Sequence, residues 1–447
     1  MSERLFGTDG IRGVANVYPM TAEMALQVGR AAGAIFQRED RPHTILIGKD
    51  TRRSCYMIEN ALTAGLCSVG VRVLLTGPLP TPGVSYIMRS LRCDGAIMIS
   101  ASHNPFSDNG IKLFGPDGYK IADEVEDEIA RMISTGEVDR LRPTADRIGT
   151  AKRIDDAVGR YIEFVKATFP KGMRLDGLRI VVDCANGAMY KAGPDTLAEL
   201  GAQVIPLADR PNGLNINAGV GSVHPEEMRA TVIREKAHVG IAFDGDGDRL
   251  AMADEHGRLL DGNALLAILG RDCLERGTLP KNTLATTIMA NGGLESALAP
   301  LGGKVLRTNV GDRAVVEAMR EQGLTVGGES SGHMVLLEYN VTGDAMIAAL
   351  QVLAILVRKD LPLSSVAHAY QEMPESHRKV PLEGRAKPAP EQLSAVAAGA
   401  EAELNGSGRV VIRLSGTEPV VRIMVQHQEL RKAEAWSKTL AERVAAL

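Results

Sequence analysis

Short apolar runs alternate along the chain with longer stretches whose apolar side chains recur roughly every three to four residues, the periods of buried strands and half-buried helices. The run 44–47 ends in the polar loop Gly48-Lys49-Asp50-Thr51-Arg52. A helical pattern covers 54–68, an apolar run follows at 71–75, and a further helix precedes the run 95–100. The pattern restarts after Pro170, with strands predicted over 178–182, 203–207 and 239–243 and helices over 193–200 and 225–236. A third set follows the turn Asp254-Glu255-His256-Gly257: helices near 263–275, 294–301 and 312–322 alternate with strands near 283–289, 304–307 and 325–328. Such alternation predicts βαβ units on mixed, mostly parallel sheets. The tail differs: Pro-containing stretches at 373–374 and 387–390 bracket a short strand, then come a helix over 390–404, strands over 409–414 and 420–426, and a last helix over 430–446, an α+β arrangement.

The chain has 447 residues, and at about 150 residues per domain length alone suggests about three domains. The pattern gives four units instead: 1–153, 154–253, 254–370 and 371–447. The fold class expected is therefore three consecutive α/β domains and a C-terminal α+β domain. Apolar residues are 45% and aromatic residues 4% of the chain, so Val, Ile, Leu, Ala and Met must fill the cores. With 51 basic and 55 acidic residues the net charge is −4, which points to neither nucleic acid nor an anionic membrane as a partner. An anionic substrate must then be met by local basic clusters. The five cysteines, Cys55, Cys67, Cys93, Cys184 and Cys273, show no C-x-x-C spacing and read as reduced, buried thiols of a cytoplasmic protein. The opening MSERLFGTDG lacks the apolar stretch of a signal peptide. The most apolar segment, 345–357, contains Gln351 and is too short to span a bilayer, so a buried helix is expected.

Four loops could carry chemistry. Ser100-Ala101-Ser102-His103-Asn104-Pro105 follows an apolar run, where α/β sheets present reactive groups. Ser102 could be a nucleophile there, although taken alone the segment reads as a polar turn, and it is not a G-x-S-x-G elbow. In Asp244-Gly245-Asp246-Gly247-Asp248-Arg249, carboxylates at period two share one side if the segment is extended. Three such charges call for a cation, and hard oxygen donors favour Mg²⁺ or Ca²⁺. An EF-hand is excluded because the sixth loop position is Arg249 rather than Gly. Gly327-Gly328-Glu329-Ser330-Ser331-Gly332-His333 offers Glu329 and Ser331 to neighbouring sugar hydroxyls, a weak signal in isolation. In Arg413-Leu414-Ser415-Gly416-Thr417-Glu418-Pro419, hydroxyls, free N–H groups and the flanking Arg413 and Arg422 suit a phosphate. The loops at 7–13, at Lys49 and Arg52, and at 309–313 also carry basic groups.

Together, in this order, these loops resemble the α-D-phosphohexomutase family over essentially the whole chain. The resemblance implies that Ser102 becomes the phosphoserine and that Asp244, Asp246 and Asp248, with the Ser102 phosphate, bind Mg²⁺. It further implies that Glu329 and Ser331 bind the sugar, and that Arg413, Ser415, Gly416, Thr417 and Arg422 bind the substrate phosphate, all around a central cleft. Within the family, Phe6-Gly7-Thr8-Asp9-Gly10-Ile11-Arg12-Gly13, the serine loop through Phe106, and Asp108-Asn109-Gly110-Ile111-Lys112-Leu113-Phe114 are most similar to the branch acting on glucosamine phosphates. Ser330 departs from that branch, where Gln is expected. The implied reaction interconverts glucosamine 6-phosphate and glucosamine 1-phosphate, with glucosamine 1,6-bisphosphate as intermediate and activator, and feeds UDP-N-acetylglucosamine and cell-wall precursors. Lys112, His333 and Arg12 are the candidates for acid, base or charge stabiliser, and orienting the loop is role enough for His103. A homodimer is carried as one expectation for the assembly. The alternatives are a phosphomannomutase or phosphoglucomutase and, further off, a phosphatase using Asp244 as nucleophile or a sugar-phosphate-binding protein without turnover.

Overall fold

The computed structural model describes residues 4–7, 9–37, 41–382, 387–415 and 418–447. The first sheet comprises β1 (Ile11–Val14), β2 (Thr44–Lys49), β3 (Arg72–Pro78), β4 (Gly95–Ile99), β5 (Asp108–Phe114) and β6 (Ala151–Arg153), in the order β1-β5-β4-β2-β3-β6. Within it β2, β3, β4 and β6 run parallel, while β5 lies antiparallel to both β4 and β1. The second sheet contains β7 (Arg179–Asp183), β8 (Gln203–Leu207), β9 (Val239–Phe243), β10 (Leu250–Ala253) and β11 (Leu259–Leu260), ordered β11-β10-β9-β7-β8. The third has β12 (Thr283–Thr287), β13 (Lys304–Thr308), β14 (Val326–Gly328) and β15 (Met334–Leu336), ordered β13-β12-β14-β15. The last, fully antiparallel sheet has β16 (Glu375–Pro381), β17 (Gly408–Leu414) and β18 (Val420–His427), ordered β16-β18-β17. The fold is thus three α/β layers and one α+β unit.

One device recurs in the first three sheets. An apolar parallel strand ends, a short polar loop follows, and the chain returns as an antiparallel neighbour: β4 to β5, β9 to β10 and β14 to β15. The three loops so formed are 100–107, 244–249 and 329–333. Every residue of β4 and β9 is buried, so each loop is anchored by a strand that cannot shift without exposing core.

The helix Ala345–Lys359 joins the units. Its core-facing residues, from Met346 to Leu356, belong to the same apolar cluster as Val84 of the first unit, Ile241 of the second and Leu284 of the third. Its N-terminus is capped by Asp344, which accepts from the backbone N–H groups of Met346 and Ile347 and from Tyr161 Oη at 2.9 Å. Burial pushes the Asp344 carboxyl up to about 6 against these hydrogen bonds. The expected buried helix is therefore present. Among the described residues, no helix is long and apolar enough to cross a membrane. All five cysteines are free, but Cys67 and Cys273 are only half-buried. Several elements lacked a clear prediction, among them β1, the helix Ala22–Phe36 and the helix Asp123–Ser134.

Candidate active site

Ser102 sits three residues past the end of its strand, buried, with a left-handed φ of 51°. A non-glycine residue there is strained by roughly 1–3 kcal/mol and persists only when its surroundings hold it. Arg52, with no exposed side-chain surface, provides that hold. Its guanidinium donates to the carbonyls of Ser102 (2.9 Å), Asn104 (2.8 Å), Asp108 (3.1 Å) and Pro105, while Nε donates to Asp50 Oδ2 at 2.8 Å. From the second unit, Asn217 Nδ2 donates to the same Ser102 and Asn104 carbonyls at 2.8 and 2.9 Å. The Ser102 N–H donates to Ser100 Oγ, which in turn donates to Asp50. The loop backbone is thus tied down chiefly through its carbonyls.

Ser102 Oγ donates to Asp244 Oδ2 at 2.6 Å and lies 3.2 Å from His103 Nδ1. Burial, reinforced by Arg249 and Arg12, holds the His103 imidazole down to about 4, so it is neutral at pH 7. The serine and aspartate loops come this close because position 245 is glycine: a Cβ there would stand 2.6 Å from the Ser102 carbonyl oxygen.

Asp244, Asp246 and Asp248 are buried, with one oxygen from each lying within 4.8 Å of the others. They converge for a reason other than the extended alternation expected. The segment is a turn, Gly247 has φ 72°, and the N–H groups of Asp248 and Arg249 fold back onto Asp244 Oδ1 at 3.2 Å. Asp246 Oδ2 accepts from Thr81 Oγ1 (2.7 Å) and Lys112 Nζ (3.1 Å). The other oxygens, Asp246 Oδ1 and Asp248 Oδ1, are buried without a hydrogen-bond partner. Burial and the two neighbouring carboxylates push Asp244 well above the usual carboxylate range, whereas for Asp248 the effect of burial is outweighed by Lys112 and His333 and its carboxyl is held low. Orphaned oxygens and mutual repulsion fit a cation, and an all-oxygen donor set fits a hard divalent one.

Lys112 Nζ also lies 3.3 Å from Asp9 Oδ2 and 3.9 Å from Asp248. Burial would lower its pKa, but three carboxylates raise it, so it is a fixed ammonium. Arg12 pairs with Asp9. His333 Nδ1 lies 3.6 Å from Asp248 and Nε2 3.9 Å from Asp312; despite burial these carboxylates raise it to about 9. Its ring rests on Gly343, where a Cβ would come within 2.4 Å.

A cleft of about 930 Å³ is lined by Arg12, Ser102, Asp248, Glu329, Ser331 and His333, among others. Lys112 lies behind its wall. Glu329 Oε1 accepts from the Gly311 N–H at 3.2 Å, and the Leu250 N–H reaches the Gly332 carbonyl at 3.0 Å, which braces the 329–333 loop against the aspartate loop. Arg413, Ser415 and Arg422 do not line this cleft. Arg413 and Arg422 stand directly opposite each other on β17 and β18, Arg422 Nη2 is 2.8 Å from Glu418, and Ser415 Oγ accepts from the Glu418 N–H at 3.3 Å. Gly416 and Thr417 lie outside the described residues.

Comparison with known proteins bears on this arrangement directly. The four domain descriptions of one family match in order: phosphoglucomutase/phosphomannomutase alpha/beta/alpha domain I at residues 3–139, domain II at 159–257, domain III at 261–373 and the C-terminal domain at 378–443. The chain belongs to the phosphoglucomutase/phosphomannomutase family. Among its relatives in this family, a phosphoglucosamine mutase from Anaeromyxobacter dehalogenans is 53% identical over 99% of this chain and 98% of its own. One from Geobacter metallireducens is 52% identical with the same coverage. Among solved structures, a family protein from Burkholderia thailandensis shares the fold with a TM-score of 0.82 at 23% identity, covering 100% of this chain and 98% of that one. An Aspergillus fumigatus N-acetylphosphoglucosamine mutase, solved with GlcNAc-6P and magnesium, does so at 0.66 and 19%, covering 98% and 95%.

For this family member, sequence reasoning missed several of the residues that shape the site. Thr81 and Asn217 carried no signal of their own, and Asp50 shared the 48–52 loop with Arg52. Arg52, Asp9 and Asp312 lay in loops noted for basic groups, but their partners are remote in sequence. Lys120, paired with both Asp9 and Asp312, had no motif around it.

Proposed function

We propose that this protein interconverts glucosamine 6-phosphate and glucosamine 1-phosphate by way of phosphorylated Ser102. The observation that carries the reading is the 2.6 Å contact of the Ser102 hydroxyl with Asp244, inside a buried aspartate triad and facing a cleft of sugar-phosphate size. The names of the half-identical relatives supply the amino sugar.

In the forward direction the phosphorus–oxygen bond to Ser102 breaks as a new one forms to the free hydroxyl of the bound monophosphate, and the proton that this hydroxyl gives up is balanced by the proton that the Ser102 oxygen takes up. The 1,6-bisphosphate product turns around in the cleft and returns its other phosphoryl group to Ser102. Asp244, Asp246 and Asp248 would hold Mg²⁺ together with a Ser102 phosphate oxygen, supplying positive charge that offsets the charge of the transferring group. Lys112, a fixed ammonium, and the Arg12 guanidinium would serve as stabilisers behind and beside that group. His333, facing the cleft between two carboxylates, is placed to carry a proton. Neutral His103, 3.2 Å from Ser102 Oγ, would orient the serine loop. Glu329 and Ser331 would hold sugar hydroxyls. Arg413, Ser415, Gly416, Thr417 and Arg422 would hold the phosphate that is not reacting.

The test is a coupled assay comparing kcat/KM for glucosamine, glucose and mannose phosphates. The highest value is expected for the glucosamine compound; a higher one for glucose 1-phosphate would replace this reading with a phosphoglucomutase.

A further inference from the structure

Lys120 follows β5 and is bridged to its last residue, Phe114. Its ammonium has a carboxylate on either side. One is Asp9 Oδ1, in the opening loop of the first unit. The other is Asp312 Oδ2, at 2.5 Å, on the first residue of the helix Asp312–Gln322 in the third unit. Asp9 uses its second oxygen, Oδ2, for Arg12 and Lys112. Asp312 Oδ2 is also the oxygen 3.9 Å from His333 Nε2. One ammonium therefore joins two strings of charge, Arg12 and Lys112 through Asp9 on one side and His333 through Asp312 on the other. These three ends are the groups assigned above to charge stabilisation and proton transfer.

The surroundings hold the same two elements together. Arg313 Nη2 donates to the Ile121 carbonyl at 2.7 Å, Arg313 Nη1 pairs with Asp123, and the Arg320 guanidinium lies 4.2 Å from the Tyr119 ring centre. Residues 119–123 are thus fastened to one helix of the third unit, with Lys120 as the inner fastening nearest the cleft. Without it, Asp9 and Asp312 would face each other with no cation between them, and like charges in a buried setting separate. The loops bearing Asp9 and Gly311 would move apart with them, and Arg12, paired with Asp9, would shift too.

We infer that Lys120 is a positioning residue: by bridging Asp9 and Asp312 across the first and third units, it sets Arg12, Lys112 and His333 relative to the Ser102 phosphoryl group. The inference rests on the mutase reading above. A misplacement of about 1 Å in such groups costs on the order of 100-fold in rate.

The experiment compares wild type with Lys120→Met, Lys120→Arg and Asp312→Asn, using whichever hexose phosphate the wild type turns over best. Lys120→Met is expected to lower kcat by about 100-fold with KM changed less than about threefold, because the lost geometry concerns the transition state. Lys120→Arg, which keeps a cation between the carboxylates, should recover most of that loss. Asp312→Asn, which leaves Asp9 paired, should fall between. Amide hydrogen exchange on the same proteins should quicken at 9–12 and 311–313 in Lys120→Met and stay unchanged at β17 and β18. If Lys120→Met does not fold, Asp312→Asn with its exchange pattern decides the matter alone. A kcat within about threefold of wild type, a loss confined to KM, or unchanged exchange at both loops would overturn the inference. A wild type that turns over no hexose phosphate would refute the mutase reading, and the exchange arm would then decide the bridge by itself.

Discussion

The Ser102 loop and the Ser415 loop both follow a strand, and both present a hydroxyl beside arginine, yet they are held in opposite ways. Around Ser102 the arginine is spent on the protein: Arg52 is fully buried and gives its donors to four loop carbonyls and Asp50. Around Ser415 the cations stay at the surface, where Lys379 and Arg422 share the half-exposed Glu418. Among the described residues, the C-terminal unit meets the third unit through polar contacts that include Gln426 Oε1 accepting from the Gly292 N–H at 2.9 Å and Arg409 Nη1 donating to the Ala290 carbonyl at 2.9 Å. Under the proposed mechanism a phosphoryl donor must be fixed to tenths of an ångström, whereas a phosphate anchor must release an intermediate and catch it again after it turns. Interfaces of the second kind let domains move as lids do.

The comparison can be broken first at its rigid end. Ser102→Ala should lower mutase turnover by on the order of 1,000-fold or more while the thermal transition stays where it is, since the nucleophile is lost but the clamp acts on backbone carbonyls. Intact-protein mass spectrometry should find phosphate on the wild type and none on the variant. Next in size, Asp246→Asn should cost about 100- to 1,000-fold, and EDTA should have a comparable effect on the wild type. A rate indifferent to EDTA would remove the cation from the account.

Arg52→Met separates the clamp from the chemistry. It leaves Asp50 buried without its counter-charge, so the unfolding free energy measured in urea should fall by about 3–5 kcal/mol. The surviving folded fraction should carry less phosphate on Ser102. The smallest effect belongs to the surface-held end. Arg413→Ala removes a charge-assisted contact worth about 1.5–3 kcal/mol, a loss of about 10- to 100-fold in kcat/KM. Its progress curves should decay unless 1,6-bisphosphate is added, because escaped intermediate strands the enzyme without its phosphate. A wild-type KM with no need for added bisphosphate would remove the anchor role.

What could be read from the sequence follows the distance over which each feature is determined. Strand and helix periods are local, and the helices Ser54–Ser68, Asp312–Gln322 and Pro390–Leu404 stand where their patterns place them. The loop motifs are local as well, so Ser102, the three aspartates and Glu329 were visible as candidates. The convergence of the aspartates was anticipated but attributed to extended backbone, whereas Gly247 and the N–H groups folded onto Asp244 produce it as a turn. Arg52, Asn217 and Lys120 act on residues 50, 115 and 192 positions away, and nothing in their neighbourhoods announces a partner. The strand–loop–strand device repeated in three units was hidden for a related reason. Its common part is hydrogen-bonding geometry, which different side chains can satisfy.

The claim on which the rest depends is that phosphate passes through Ser102 on every turnover. Protein phosphorylated at Ser102 can be mixed with glucosamine 6-phosphate, quenched at successive times, and the Ser102 peptide and the sugar bisphosphate quantified together. The account predicts that phosphate leaves Ser102 as bisphosphate appears, at a rate no slower than steady-state turnover. Phosphate that remains on Ser102 while glucosamine 1-phosphate accumulates would contradict it.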